Sequence, residues 1–517
     1  MTTSFELAHE DQISGTLTFS DRMIFKGHLT KLYHPGAMKA FCDRSGILLK
    51  DFGNYVKDAT EDFKDHVKAI AEKSGAPYIY LAENYTKSRG RSKEDRAREI
   101  AENDGVIEGL ICIFAAVEPC SSFDIFKNKE THRLEIVRRN RKCLFFYFYY
   151  IDPELGFFHI RLQSWFPFEV QIWINGRELL ANELDRAGIG YLRHANTFLK
   201  IDDWEAAQRI ANKLARKAWP RLLDSFVKPL NPILRDIRRA GFGGYYWVAD
   251  QIEVATDVGF RTQPALNKIL PGVFAHATTA LRSEDILRFL GRKLHPNLAA
   301  EVTTDSRRRP EGMRVKHRIA RNSIKVYDKV SVLRIETTIN NPAEFRILRR
   351  IDGHHEWRPM RKGVANLPRY FQVGLGANNR YLEALGAAHD NRDGKAALHR
   401  LTKPTTNRGK RHSRFHPVDQ SDLCLFRAVL DGANTIGGFK NKDITDKLNT
   451  RSAKAKEEAL RRCAKTSRQI AKLRGHGLVA KIPKRRLYRV TPYGMKVMTA
   501  ALAMHDRDFP AAYATAS

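Results

Sequence analysis

The sequence predicts an α+β protein: an antiparallel-sheet body with packed helices, followed by a smaller helical module at its C-terminal end. Three observations lead there. Aromatic and β-branched runs such as Cys143–Ile151 and Phe157–Ile174 are joined by a short turn, Asp152–Gly156, as in antiparallel strands paired locally. Segments of helical period with start and stop signals lie between and after such runs. The 517 residues make about three domains at roughly 150 residues each. A hydrophobic share of 43% supplies proper cores and excludes a wholly disordered chain.

Taken in order, residues 1–104 read as a mostly helical region; in it Ser92 caps a polar helix over 92–102 with an early Glu94-Asp95 pair. Residues 105–235 read as an α+β sheet domain. Its strands are Gly109–Val117, Cys143–Ile151 and the run to Ile174, and its helices are Arg177–Ala187 and Asp203–Lys217, the second stopped before Pro220. Residues 236–390 read as a second α+β region. It opens on Tyr245–Phe260, continues with helices near 264–280 and 283–292, and then forms a three-strand meander, Arg314–Ile319, Ser323–Asp328 and Val332–Ile339. Residues 391–418 are poor in large apolar side chains and rich in basic, Gly and Pro residues, the composition of a basic linker. No internal repeat is apparent.

The N-terminus, MTTSFELAHEDQ, lacks the basic and apolar regions of a signal peptide. The longest strongly apolar stretch, Cys143–Ile151, falls far short of the about 20 residues of a membrane-spanning helix, so no membrane partner is expected. Six scattered cysteines without a CxxC pair read as reduced thiols. The expected location is the cytoplasm, in association with the nucleoid.

The net charge of +31 is the strongest functional signal, because so large a surplus repels itself unless an anionic partner offsets it. It is unevenly placed. Residues 1–300 are +5, residues 301–390 are +8, and residues 391–517, with 28 basic and 10 acidic side chains, are +18. Nucleic acid is the partner that this footprint suggests.

Residues 419–517 show why. Leu423, Leu425, Phe426 and Val429 fit the inner face of a first helix, and Asn441–Leu448 fits a short second one. A long third helix over Glu457–Arg474 stops at Gly475-His476-Gly477. A hairpin with the basic tip Lys484-Arg485-Arg486 follows, then a last helix near 494–504. The string TSRQIAKLRGHGLVAKIPKRRLYRVTPYG resembles the recognition-helix-and-wing segment of MarR-type winged helix-turn-helix domains. The resemblance covers about 80 residues. It implies duplex DNA binding, with Lys465, Thr466, Ser467 and Arg468 in the major groove, Arg461, Arg462 and Lys472 on phosphates, and Lys484, Arg485 and Arg486 on the backbone or minor groove. Lys410 and Arg411, just upstream, would add salt-dependent affinity. The connection 449–456 is longer than the family's.

In the body, Asp250, Glu253 and Asp257 share a face if their segment is helical; on a strand only Glu253 and Asp257 do. Paired carboxylates can hold Mg²⁺ for phosphodiester chemistry, or be solvated acids and partners of arginine. On the meander, Lys316, Arg318, Lys325, Tyr327 and Arg334 form a polar face around Glu336. This face reads as a second nucleic-acid surface, in which Glu336 would be either a catalytic carboxylate or a neutralised ion-pair partner. The string SIKVYDKVSVLRIETTI weakly resembles the YDK…LR-E stretch of filamentous-phage replication initiators, whose activity uses a metal-binding histidine pair and a nucleophilic tyrosine. Here no such pair exists; His159, Arg161 and Gln163 are the nearest analogue.

The expected function is a DNA-binding protein, bacterial or mobile-element encoded, which recognises duplex DNA through its C-terminal module. The body would supply a second nucleic-acid or homodimer surface, with RNA as an open alternative ligand. The alternatives are a Mg²⁺-dependent nuclease, nickase or transposase-like enzyme, and a ligand-sensing transcriptional regulator. A metal-ligand set is unassigned.

Overall fold

The computed structural model describes all residues except 1, 83–91, 195–196, 292–301, 310–311, 387–390, 408, 432–433, 435–437, 450–452, 454, 483–486 and 516–517. Its central strand is β1 (Ile13–His28), inside the region expected to be mostly helical. The strand follows from alternation: Leu17 and Phe19, and past Asp21 Met23 and Phe25, are buried, with Thr18, Ser20 and Arg22 between them and Lys26 after them, although Ile24 is buried as well. An irregularity between Ser20 and Arg22 shifts the period at Asp21, which hides the pattern in the sequence.

Ten further strands join β1 in one sheet. They are β2 (Tyr78–Leu81), β3 (Gly109–Lys127), β4 (Leu134–Asp152), β5 (Gly156–Gln163), β6 (Val170–Asn175), β9 (Tyr246–Phe260), β10 (Val302–Arg309), β11 (Gly312–Ile319), β12 (Asn322–Lys329) and β13 (Val332–Ile339). β7 (Tyr191–His194) and β8 (Thr197–Ile201) form a separate hairpin. The order in the sheet is β10-β11-β12-β13-β9-β1-β6-β5-β4-β3-β2. Every pairing is antiparallel except β2 with β3.

This order contains an architectural repeat that the sequence conceals. Each half opens with a central strand, β1 or β9, then helices, then a four-strand meander whose last strand returns to pair with the opening one. The two opening strands pair with each other at the centre.

One sheet face is buried under helices. Phe63, on the helix Phe52–Ser74, stacks on Phe146 at 5.6 Å, and a fully buried Phe contributes roughly 1.5–3 kcal/mol. Gly374, on the helix Leu367–Gly386, lies so close to Val254 that a Cβ there would come within 2.4 Å of it. Next to it Asn378 bonds the Val254 carbonyl at 2.9 Å. The opposite face carries two smaller apolar clusters. The helix Lys93–Asn103 covers β3 and β4, and the helices Gly176–Arg186 and Trp204–Leu214 cover Leu17 and Phe19 of β1. No helix among the described residues is long and apolar enough to cross a membrane.

The C-terminal region has a core of its own. Leu423, Leu425, Phe426 and Val429 of the helix Gln420–Leu430 pack with Ile444, Ile470, Leu473 and Met498. Asp419 caps that first helix by accepting from Ser421 N at 2.8 Å. The helix Lys456–Gly475 ends where Gly477 adopts a φ of 72°, and Leu478 N returns to the Leu473 carbonyl. β18 (Val479–Lys481) and β19 (Tyr488–Val490) form a two-stranded hairpin, and the helix Pro492–Ala503 follows. The segment 391–418 is not a free linker. It contains the helix Asn391–Leu401 and the short hairpin of β16 (Thr405–Asn407) and β17 (Lys410–His412), and its Leu401 and Phe415 are buried in this second core. Two large apolar residues sufficed, which composition alone undervalued.

Candidate nucleic-acid interface and buried carboxylate cluster

The strand pairing lines up three rows of side chains on the face not covered by the Leu367–Gly386 helix. Arg314 lies opposite Tyr327, Tyr327 opposite Arg334, and Arg334 opposite Asp257. Lys316, Lys325 and Glu336 make the next row. Arg318, Ser323, Thr338, Glu253 and Arg22 make the third. The rows run from half-exposed or exposed cations on β11 inward to buried acids on β13 and β9.

The buried end is an ion network. Glu336, 1% exposed, meets Lys325 Nζ at 2.5 Å and accepts from the Tyr327 hydroxyl at 2.7 Å. Arg334, with no exposed surface, donates to Asp257 through Nε at 2.5 Å and through Nη2. Asp21 accepts from Arg177 Nη2 at 2.5 Å and lies 3.8 Å from Arg334. Glu253 accepts from Gln251 at 2.9 Å and lies 3.8 Å from Arg22. Asp21, Glu253 and Glu336 each offer one oxygen within 4.8 Å of the other two.

Burial raises the Glu253 carboxyl, and the neighbouring Glu336 charge raises it further, to about 7. Burial acts the same way on Asp21, but Arg177 and Arg334 outweigh it and hold that carboxyl at about 2. Burial raises the Tyr327 phenol, as does the Glu336 charge, so it remains a hydrogen-bond donor. Two chemistries fit this arrangement. Three carboxylate oxygens could hold a divalent cation such as Mg²⁺. Equally, four carboxylates face Arg177, Arg334, Lys325 and Arg22, so the network balances its charge without a cation.

The structure therefore brings Glu253 and Glu336 together but not the other two acids proposed with them. Asp257 is consumed by Arg334. Asp250 sits at an irregularity of β9 and pairs with Lys362 at 2.9 Å. Asp21 and Arg177 were missed by sequence reading. Their only signals are the polar Ser-Asp-Arg interruption in an otherwise strand-like run and the Asn-Gly-Arg start of a helix. His159 is buried, its ring stacked on Trp173 at 5.4 Å, and burial and then the Lys93 and Arg161 charges pull it down to about 3. It is a neutral structural residue here, and its neighbour Arg161 pairs with Glu118 at 2.8 Å.

On the C-terminal module, Arg461, Lys465, Ser467 and Arg468 are exposed along the helix Lys456–Gly475. Ser467 accepts from Asn441 Nδ2 at 2.8 Å, which ties this helix to the helix Asn441–Leu448. Two residues assigned to the interface belong elsewhere. Thr466 is 1% exposed and donates to the Arg462 carbonyl at 3.1 Å, so it is part of the core. Lys472 is held inward by Asp422 at 3.1 Å and by the Phe415 ring at 3.9 Å. Arg462 pairs with Glu458 one turn away. Lys410 and Arg411 are exposed on β17, whereas Lys484, Arg485 and Arg486 lie outside the described residues. No protein-family model matches the chain, and no curated protein or solved structure does either.

Proposed function

We propose that this protein binds DNA at two surfaces: a C-terminal winged helix-turn-helix for the duplex, and the basic β10–β12 face of the sheet for a second nucleic-acid contact. One observation carries the reading: the +18 of residues 391–517 accompanies a helix whose exposed side holds Arg461, Lys465 and Arg468. The crowding of cations on β11 supports the second surface. Burial, and then the charges of Lys325, Arg318 and Arg314, lower the Lys316 ammonium. An anion placed there would relieve that repulsion.

The test is duplex binding by fluorescence anisotropy across a salt series. Replacing Arg461, Lys465 and Arg468 by Ala should weaken binding and flatten the log–log salt slope by about 2.7, at roughly 0.9 for each phosphate no longer neutralised. An unchanged slope would remove the C-terminal module from the interface.

A second reading is favoured by one specific observation, the convergence of Asp21, Glu253 and Glu336 beside a basic face. In it the cluster holds Mg²⁺ and cleaves phosphodiesters. Incubation with single- and double-stranded DNA and RNA in Mg²⁺, Mn²⁺ or EDTA decides it. Absence of metal-dependent cleavage on all substrates leaves the cluster as an internal ion network.

A further inference from the structure

The segment Arg346–Pro359 leaves the large sheet as a ribbon of its own. β14 (Arg346–Ile351) and β15 (His354–Pro359) form a two-stranded ribbon closed by Asp352 and Gly353, with φ of 48° and 82°. Two positive φ values in a two-residue loop make a tight hairpin that matches strand twist. The ribbon belongs to no larger sheet. Every residue of β15 is exposed, and β14 alternates exposed and half-exposed. One side of it is held to the body, where Ile347 packs against the main core and Arg369 Nε donates to the Arg346 carbonyl at 2.9 Å.

Its side chains indicate the partner. Leu348 and Trp357 lie opposite each other and are 47% and 52% exposed. Arg346 and Arg350 share their face, by alternation along β14. On the other face, Arg349 and Arg358 line a cavity of about 560 Å³ together with Ile351, Met360, Arg361 and Lys362. Arg358 is engaged by Glu356 at 2.7 Å and Lys362 by Asp250 at 2.9 Å. Among the described residues, no carboxylate pairs with Arg346 or Arg350, and Arg369, on the helix Leu367–Gly386, lies over the Trp357 ring at 5.5 Å. From 346 to 362 there are six Lys and Arg against two acids.

We propose that this ribbon is a binding site for single-stranded nucleic acid, with phosphates at Arg346 and Arg350 and a base stacked on the side of the Trp357 ring away from Arg369, all on the one face. An exposed indole set among arginines suits a ligand that alternates anionic groups with flat apolar rings. An acidic peptide would answer the charge but would leave the indole–leucine pair uncovered. The inference rests on the nucleic-acid reading of the protein and adds the strand form and the residues.

The test uses the full chain, a fluorescein-labelled oligo-dT of 20 nucleotides, and a duplex control. W357A is expected to weaken single-strand binding about tenfold, the effect of removing one base-stacking partner, and W357F to restore most of it. R346A/R350A should weaken it further and lower its salt dependence. Duplex affinity should stay unchanged in all three, because the C-terminal module is intact. Since these side chains are exposed, unchanged thermal melting checks the fold. Unaltered single-strand affinity in W357A would overturn the proposal. So would R346A/R350A weakening heparin and oligo-dT equally while W357A changes neither. If the Arg461/Lys465/Arg468 variant keeps full duplex affinity while W357A loses single-strand binding, the duplex assignment fails and the ribbon stands.

Discussion

Replacing Arg334 by Met tests whether the centre of the sheet is held by charge. Arg334 has no exposed surface, and its guanidinium engages Asp257 through two nitrogens while lying 3.8 Å from Asp21. Methionine fills a similar volume but leaves Asp257, 1% exposed, without its partner. Removing one member of a buried pair costs about 3–5 kcal/mol, since the remaining charge is neither solvated nor compensated. A second substitution, Asp257→Asn, removes that charge, so the double variant should recover part of the loss. Against a domain stability of about 5–15 kcal/mol, the single change should shift a urea transition visibly. All six tryptophans lie between residues 165 and 357, so their fluorescence reports on the body and not on the C-terminal module. A loss below about 1 kcal/mol in R334M, or no recovery in R334M/D257N, would refute the account of a charge-held core.

Three further outcomes are expected. Burial alone would raise the Glu118 carboxyl, but hydrogen bonds from Lys93, Tyr147 and Arg161 outweigh it and hold the group at about 2, below its ordinary 4.5. Its contribution, at most about 3 kcal/mol, is therefore complete above pH 4.5 and lost as pH falls towards 2; E118Q should flatten that part of a stability–pH curve. Leu473→Ala, in the second core, should cost about 2–5 kcal/mol and lower only the unfolding of the C-terminal module, read by far-UV circular dichroism, while tryptophan fluorescence stays unchanged. Gly176→Ala should destabilise the body strongly, because a Cβ there would come within 1.7 Å of the Ser20 carbonyl oxygen beside the Asp21 irregularity; an unchanged tryptophan-monitored transition would contradict that packing.

The parts legible in the sequence were those set by local pattern. The meander β11–β13 and the helix Lys456–Gly475 fall within two residues of their expected bounds, because alternation, turn residues and a glycine stop all sit within a few positions of each other. β1 was not legible, since its alternation breaks at Asp21 and its partners β6 and β9 lie about 150 and 230 residues away. The carboxylate cluster failed for the same reason. Glu253 and Glu336 sit on strands that could be read, while Asp21 enters from one that could not, and Asp257 was diverted by an arginine 77 residues distant. Thr466 and Lys472 look outward on a helix drawn alone, and only packing against Asp422 and Phe415 turns Lys472 inward.

The architectural repeat sharpens where nucleic acid can approach. The two halves share a topology but differ on the same sheet face. In the β3–β5 half that face carries Phe114, Phe145, Tyr147 and Tyr149, buried beneath the helix Lys93–Asn103, and Arg161 is spent on Glu118. In the β10–β12 half the positions hold Arg307, Arg314, Lys316 and Arg318, exposed or half-exposed. On that face of the first half the exposed Arg139 and Arg141 both pair with Asp124, so among the described residues the second half offers the longer run of cations across neighbouring strands. The ribbon Arg346–Pro359 follows β13 in the chain after the 3-10 turn Pro342–Glu344, so residues 301–390, with their +8, carry both surfaces. A ligand held on the β10–β12 face would lie beside the Lys325–Glu336 pair, which makes the Mg²⁺ experiment informative in either outcome: cleavage would turn a structural network into a catalytic one, and its absence would leave binding as the body's work.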